Sequence, residues 1–209
     1  MATTRLKSDV LIIGSGIAGL SFALKAAEHG TVSIVTKKAR AESNTNYAQG
    51  GIAAVIASDD TFESHIQDTL GAGVGLCHQD AVDVLVREGP DRLRELIAIG
   101  VDFTKREGKL DLGREGGHSA NRIVHAHDRS GLEIERALLA SIARHPNITV
   151  FEDHFAIDLI TEHHLGRSFS GNDPIHFSLI ADRIRNKDII PNCVATGQHP
   201  LRVKDFASD

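Results

Sequence analysis

The chain has 209 residues, 41% of them hydrophobic and 24% charged, and 23 Lys+Arg against 28 Asp+Glu give a formal net charge of −5. That is room for one domain or a little more, with apolar residues enough for a core and no basic surplus of the kind a nucleic-acid partner requires. Cys77 and Cys193 stand far apart, which argues against a disulfide scaffold, a zinc knuckle and a Cys-x-x-Cys redox unit. No apolar run nears the roughly 20 residues of a membrane span, and Val10–Ile13 is too short for the core of a signal peptide. The expectation is a cytoplasmic protein with neither nucleic-acid nor membrane partner.

Asp9-Val10-Leu11-Ile12-Ile13 is apolar without alternation after its first residue, the pattern of a parallel strand covered on both faces. Ile17, Leu20, Leu24 and Ala27 then recur at helical spacing until His29-Gly30, where glycine suits the end of a helix. Thr31–Val35 is a second strand, which completes a βαβ unit. Residues 38–60 are irregular. Asp60 is placed to cap a helix, with Glu63 three residues on and Phe62, Ile66 and Leu70 on one face, and Gly71, Gly73 and Gly75 end it. Residues 80–99 read as one helix, or as two broken at Gly89-Pro90, closing at Gly100. Val101-Asp102-Phe103 reads as a short strand, 105–121 as a loop or hairpin, 131–144 as a helix, and Ile148–Phe151 and Ala156–Ile160 as strands. The order is α/β, a Rossmann-like domain with a parallel sheet. Residues 1–162 form that domain on this reading. Residues 163–209 are a divergent, weakly patterned tail in which 175–184 and 194–203 are strand or helix fragments.

Gly14-Ser15-Gly16-Ile17-Ala18-Gly19 is a G-x-G-x-x-G run between a strand and a helix, where its chemistry requires it. The first glycine permits a tight turn, the second lets a pyrophosphate approach the backbone, and the third lets helix and strand pack closely. The anion then sits at the helix N-terminus. The second strand ends in Thr36-Lys37-Lys38-Ala39-Arg40 rather than in the acidic residue that commonly holds a ribose hydroxyl. This cluster suits the 2′-phosphate of NADP, which keeps an NADP reductase open, or it is a solvated loop.

Ser43-Asn44-Thr45-Asn46-Tyr47-Ala48-Gln49-Gly50-Gly51-Ile52-Ala53 mixes hydrogen-bonding side chains with glycines, which suits a flat polar heterocycle such as an isoalloxazine ring. The stretch resembles the flavin-contacting segment of the succinate dehydrogenase and fumarate reductase flavoprotein superfamily, and most of all its L-aspartate oxidase branch. Ser64-His65-Ile66-Gln67-Asp68-Thr69-Leu70 resembles that branch's next helix, and Arg114-Glu115-Gly116-Gly117-His118-Ser119 with Arg122-Ile123-Val124-His125-Ala126 and Asp128 its active-site strand and turn. His145-Pro146-Asn147-Ile148 through Ala156–Ile160 is similar to the strand pair beside the adenine. The resemblance runs over about residues 8–162.

The resemblance implies an FAD-binding domain at 1–162, incomplete relative to the family. Gly14, Ser15, Gly16, Ile17, Ala18 and Gly19 would hold the pyrophosphate. Lys37 and Asn44, Thr45, Asn46, Tyr47, Ala48, Gln49, Gly50 and Gly51 would line the ribityl chain and ring. Asn44 stands where succinate dehydrogenases carry a histidine linked to the flavin, which implies noncovalent FAD. Glu115 matches a glutamate that orients the substrate amino group by a charge-assisted hydrogen bond. The implied reaction is oxidation of L-aspartate to iminosuccinate, on the way to quinolinate and NAD, with O2 or fumarate as electron acceptor and quinolinate synthase as a pathway partner.

The alternatives are a fumarate reductase-like dicarboxylate flavoenzyme, against which Asn44 and Glu115 speak, and a non-catalytic nucleotide-binding remnant. His125-x-His127-Asp128 superficially resembles a metal-ligand set, but no further ligand cluster accompanies it, and no metal is expected. The family's capping domain, with the arginine that takes up the substrate proton, is not identifiable here. The expectation is a truncated or interrupted form with weak or no turnover by itself.

Overall fold

The computed structural model describes residues 6–161, 177–185 and 188–195. In chain order its elements are β1 (Val10–Ile13), α1 (Ile17–Ala26), β2 (Val32–Val35), a 3-10 turn (Thr45–Tyr47), β3 (Ile52–Ala53), α2 (Phe62–Ala72) and α3 (Gln79–Ile99). There follow β4 (Lys105–Arg106), β5 (Lys109–Leu110), β6 (Leu112–Gly113), β7 (Ile123–Val124), α4 (Ser130–Arg144), β8 (Ile148–Phe151), β9 (His154–Thr161), β10 (Phe177–Arg185) and β11 (Asp188–Ala195). The chain divides into two units, Met1–Ser43 with Leu138–Asp209, and Asn44–Ala137.

The first unit is built on a parallel sheet of order β1-β2-β8, in which Val32 pairs with Val10 on one side and Ile148 on the other. Every residue of β2 is buried, Ser33 included, as a parallel strand covered on both faces requires. α1 crosses over from β1 to β2 and buries Leu20 and Ala23. Leu20 and Ile34 are fully buried, each contributing about 1.5–3 kcal/mol by leaving water. Val35 packs with Leu6, Leu11, Phe151 and Ala156. β9, β10 and β11 form an antiparallel sheet in that order, with a register shift at Ile180/Ala181. β10 falls largely on 175–184, one of the stretches of the weakly patterned tail read from sequence as strand or helix fragments, and β11 lies mostly between the two, while the readings for 162–176 and 196–209 lie outside the described residues.

The second unit carries an antiparallel sheet of order β3-β7-β6 and the β4–β5 hairpin, whose turn places Glu107 and Gly108 at positive φ. α2 and α3 share a core of Ile66, Val82 and Val86, joined by Val55, Phe62, Leu70 and Cys77. Two sequence expectations change here, and one open alternative is decided. α2 is capped by Thr61, whose hydroxyl accepts from Ser64 N at 3.1 Å, because Asp60 is committed elsewhere. α3 is one helix through Pro90, since Val82, Val86, Pro90, Leu93 and Leu96 form a continuous buried stripe that outweighs the lost backbone bond. Val101–Phe103 is not a strand: Val101 N bonds back to Leu96 O at the helix end, and Val101 and Phe103 are buried from irregular chain.

Candidate functional site

In the first unit, the glycine turn joins β1 to α1 as the sequence predicts. Gly14 has φ +100° and donates its N–H to Val35 O at 2.8 Å, which ties the turn to the end of β2. A Cβ on Gly19 would fall on the Gly14 carbonyl oxygen, so only glycine allows this approach of helix to turn. Ser15 Oγ and Thr36 Oγ1, both in buried residues, lie 3.1 Å apart. Gly16 caps α1 with extended backbone and no side-chain bond, and the first turn holds no acidic residue. The first helical bond is Leu20 N to Gly16 O at 3.0 Å. Gly16 has no side chain to bond the helix start, and the first turn sets no carboxylate against the positive end of the helix.

The basic cluster after β2 resolves into separate roles. Arg40 donates from its guanidinium to both oxygens of Glu152, at 3.0 and 2.9 Å, and from its backbone N at 2.6 Å. Those bonds to Arg40 hold the Glu152 carboxyl below its usual range and raise Arg40 in turn. Lys38 pairs with Glu42 at 3.2 Å. Lys37 is exposed and makes no hydrogen bond or ion pair with a described residue. The guanidinium best suited to a 2′-phosphate is therefore already engaged.

The second unit holds the other predicted cofactor residues. Asn44 leads into the Thr45–Tyr47 turn with helical backbone, and Ala48 returns to extended geometry. Asn44, Tyr47, Ala48, Gln49, Gly50 and Gly51 are exposed, and Thr45 and Asn46 are half-buried. Asn46 Oδ1 is nonetheless buried and without a hydrogen-bond partner.

Glu115 lies beyond β6 on a turn where Gly117 adopts φ +90° and His118 N donates to Glu115 O at 3.1 Å. The Glu115 side chain is exposed and bonds to no described residue. The far end of this turn is held by a cluster that sequence reasoning missed. Arg122, with no exposed surface, donates to both oxygens of the fully buried Asp60 at 2.9 and 2.8 Å and to Asp68 at 2.7 Å. Asp68 also accepts from Ser119 N at 2.7 Å and Ser119 Oγ at 2.8 Å, and these bonds, the backbone one foremost, keep its carboxyl below the ordinary range. Burial works against the Arg122 charge, but the two carboxylates outweigh it and raise its pKa. The partners are 54 and 62 residues apart, so no local spacing announces them. Beside them His65 meets His118 edge to face at 5.9 Å. Burial first, then Arg122 and His118, push His65 below its usual value. Among the described residues no group of three or more His, Cys, Asp or Glu is placed to hold a metal ion.

A family model described as an FAD binding domain matches residues 9–175. The chain belongs to that family. FAD is its cofactor, and each unit has a feature that fits the group: in the first, a helix start with no side-chain cap and no acidic residue in its first turn, and in the second, a buried Asn46 oxygen without a hydrogen-bond partner. L-aspartate oxidase 2-a of Nicotiana tabacum, described as chloroplastic, is 58% identical over 154 residues, which is 73% of this chain and 24% of that protein. The L-aspartate oxidase of Vibrio cholerae is 48% identical over 164 residues, covering 76% of this chain and 31% of its own. An E. coli quinol fumarate reductase structure matches with a TM-score of 0.80 at 27% identity, covering 93% of this chain and 32% of that one. The chain thus spans about a quarter of the length of the tobacco relative. No helix among the described residues is long and apolar enough to cross a membrane.

Proposed function

We propose that this chain is the FAD-holding part of an L-aspartate oxidase, acting on L-aspartate to give iminosuccinate on the route to quinolinate, with quinolinate synthase next in line. The observation that carries the reading is the 58% identity to the tobacco enzyme. When bound, FAD supplies the two-electron acceptor for hydride leaving the substrate Cα, and O2 or fumarate takes the electrons onward. The glycine turn, Gly14–Gly19, receives the pyrophosphate on backbone amides and the helix end. Lys37 is free to neutralise negative charge near the ribityl chain, and Asn44–Gly51 faces the ring. Asn44 offers a carboxamide, which is no nucleophile, so FAD is held without a covalent bond.

Glu115 holds the substrate ammonium by a charge-assisted hydrogen bond. Its carboxylate is uncommitted among described residues, and its loop is braced through Ser119, Asp68 and Arg122. A succinate, lacking the ammonium, would leave that carboxylate unpaired, which is the basis for choosing an amino acid. The test is anaerobic addition of L-aspartate to the FAD-loaded chain, read as loss of visible flavin absorption. Bleaching by L-aspartate and not by succinate supports the reading, and bleaching by succinate alone overturns it. The second reading, a fumarate reductase-type flavoprotein, is favoured by the structural likeness at a TM-score of 0.80, and it is the outcome in which succinate bleaches.

A further inference from the structure

The segment Asn44–Gly51 is gripped near each end by close backbone approach. At its far end a Cβ on Gly51 would fall on the Val124 carbonyl oxygen and the Ile123 side chain of β7. Near its start the grip comes from far along the chain. Gly131, the second residue of α4, donates its N–H to Ala48 O at 3.0 Å. It lies so close to the 3-10 turn that a Cβ would fall on the Thr45 carbonyl oxygen and sit 2.8 Å from both Cβ and O of Ala48. The start of α4 is fixed independently, because the buried Ser130 accepts from Ala126 N at 2.9 Å. A residue with any side chain at 131 must therefore displace the turn or the helix. Within the first grip, between Thr45 and Ala48, Asn46 Oδ1 is buried without a partner, and Tyr47 is 63% exposed.

We propose that Gly131 is a positioning residue for FAD. By letting the first turn of α4 abut Thr45–Ala48 backbone to backbone, it shapes the segment before the cofactor arrives, and preorganisation of this kind raises affinity without adding a contact to the ligand. The proposal rests on the reading that Asn44–Gly51 lines the flavin.

The test titrates FAD into the apo chain as wild type, Gly131→Ala, Ser130→Ala and Asn46→Ala, following flavin fluorescence and the visible circular dichroism of the bound flavin. Gly131→Ala should weaken FAD by about tenfold or more and change the flavin dichroism even at saturation, with helix content kept. Ser130→Ala loosens the same helix start without entering the turn, and it should hold affinity within about twofold with the wild-type dichroism. Wild-type affinity and dichroism in Gly131→Ala overturn the proposal. So does an equal loss in Ser130→Ala, since helix stability alone would then explain it. Should Gly131→Ala not fold, wild-type hydrogen exchange decides: FAD must slow exchange at the Gly131 amide, and an unchanged rate overturns the proposal. Unaltered binding by Asn46→Ala overturns the segment reading and the proposal with it. A loss at Asn46 but none at Gly131 removes only the role given to Gly131.

Discussion

Arg122 joins α2 to the loop that carries Glu115, and it does so without exposed surface. Its removal in Arg122→Ala leaves the Asp60 carboxylate buried and unpaired, which costs about 3–5 kcal/mol of folding stability. Urea denaturation measures this, and a loss below about 1 kcal/mol would mean that the cluster behaves like a surface pair. Glu115→Gln makes the opposite prediction. Its side chain is exposed, so stability stays within about 0.5 kcal/mol, while L-aspartate binding, read by perturbation of the flavin spectrum, weakens and succinate binding does not. His65 supplies a pH dependence. Its ordinary pKa of 6.5 is lowered by burial, so the unfolded chain binds that proton more readily than the folded one. The contribution is fully present above 6.5 and is lost as pH falls from there through the folded value. His65→Gln should flatten the stability profile in that window. A profile already flat in the wild type would remove the account.

Among the elements, the βαβ start was readable because its signals are local: an apolar run, three glycines and a helical spacing within Asp9–Val35. Gly19→Ala tests the tightest of these contacts. The new methyl meets the Gly14 carbonyl, costing about 1–3 kcal/mol of strain and moving the turn that would take the pyrophosphate, so melting temperature and FAD affinity fall together. Gly71→Ala is its counterpart. Gly71 lies in α2 with open space around it, and stability should rise by about 0.5 kcal/mol. What the sequence left open or misplaced has another cause. Whether α3 breaks at Pro90 is decided by the buried stripe it sits in, and whether Asp60 caps α2 is decided by an arginine 62 residues away. Val101 and Phe103 look like a strand because they are buried, but the chain there finds no strand partner. The same holds for the candidate site: the residues proposed for the cofactor form contiguous runs in the sequence, whereas Asp60, Asp68, Ser119 and Arg122 meet only through the fold.

For the whole molecule, acid sensitivity comes from carboxylates in both units. Asp9, held by Thr31, Asp68 by Ser119, Glu133 by Arg136 and Glu152 by Arg40 are all kept below their ordinary values of 3.8 or 4.5. Each therefore favours the folded state above those values, and the gain is lost as pH falls through the folded ones. Chemical denaturation midpoints should hold between neutrality and about pH 5 apart from the histidine step, then drop steeply below about pH 4. A midpoint unchanged in strong acid would show that these bonds contribute nothing net.

The pairing of β2 with β8 has a consequence for biosynthesis. Val32–Val35 leaves the ribosome well before Ile148–Phe151, which covers one of its edges and follows about a hundred residues later, a delay on the order of ten seconds at ordinary translation rates. Throughout that interval an edge of a mostly apolar strand stands unpaired on the nascent chain. Asn44–Ala137 is contiguous, emerges within the gap and is free to fold on its own local contacts first. Chaperone capture of stalled chains should accordingly peak for lengths that end between these two strands and decline once β8 has cleared the exit tunnel.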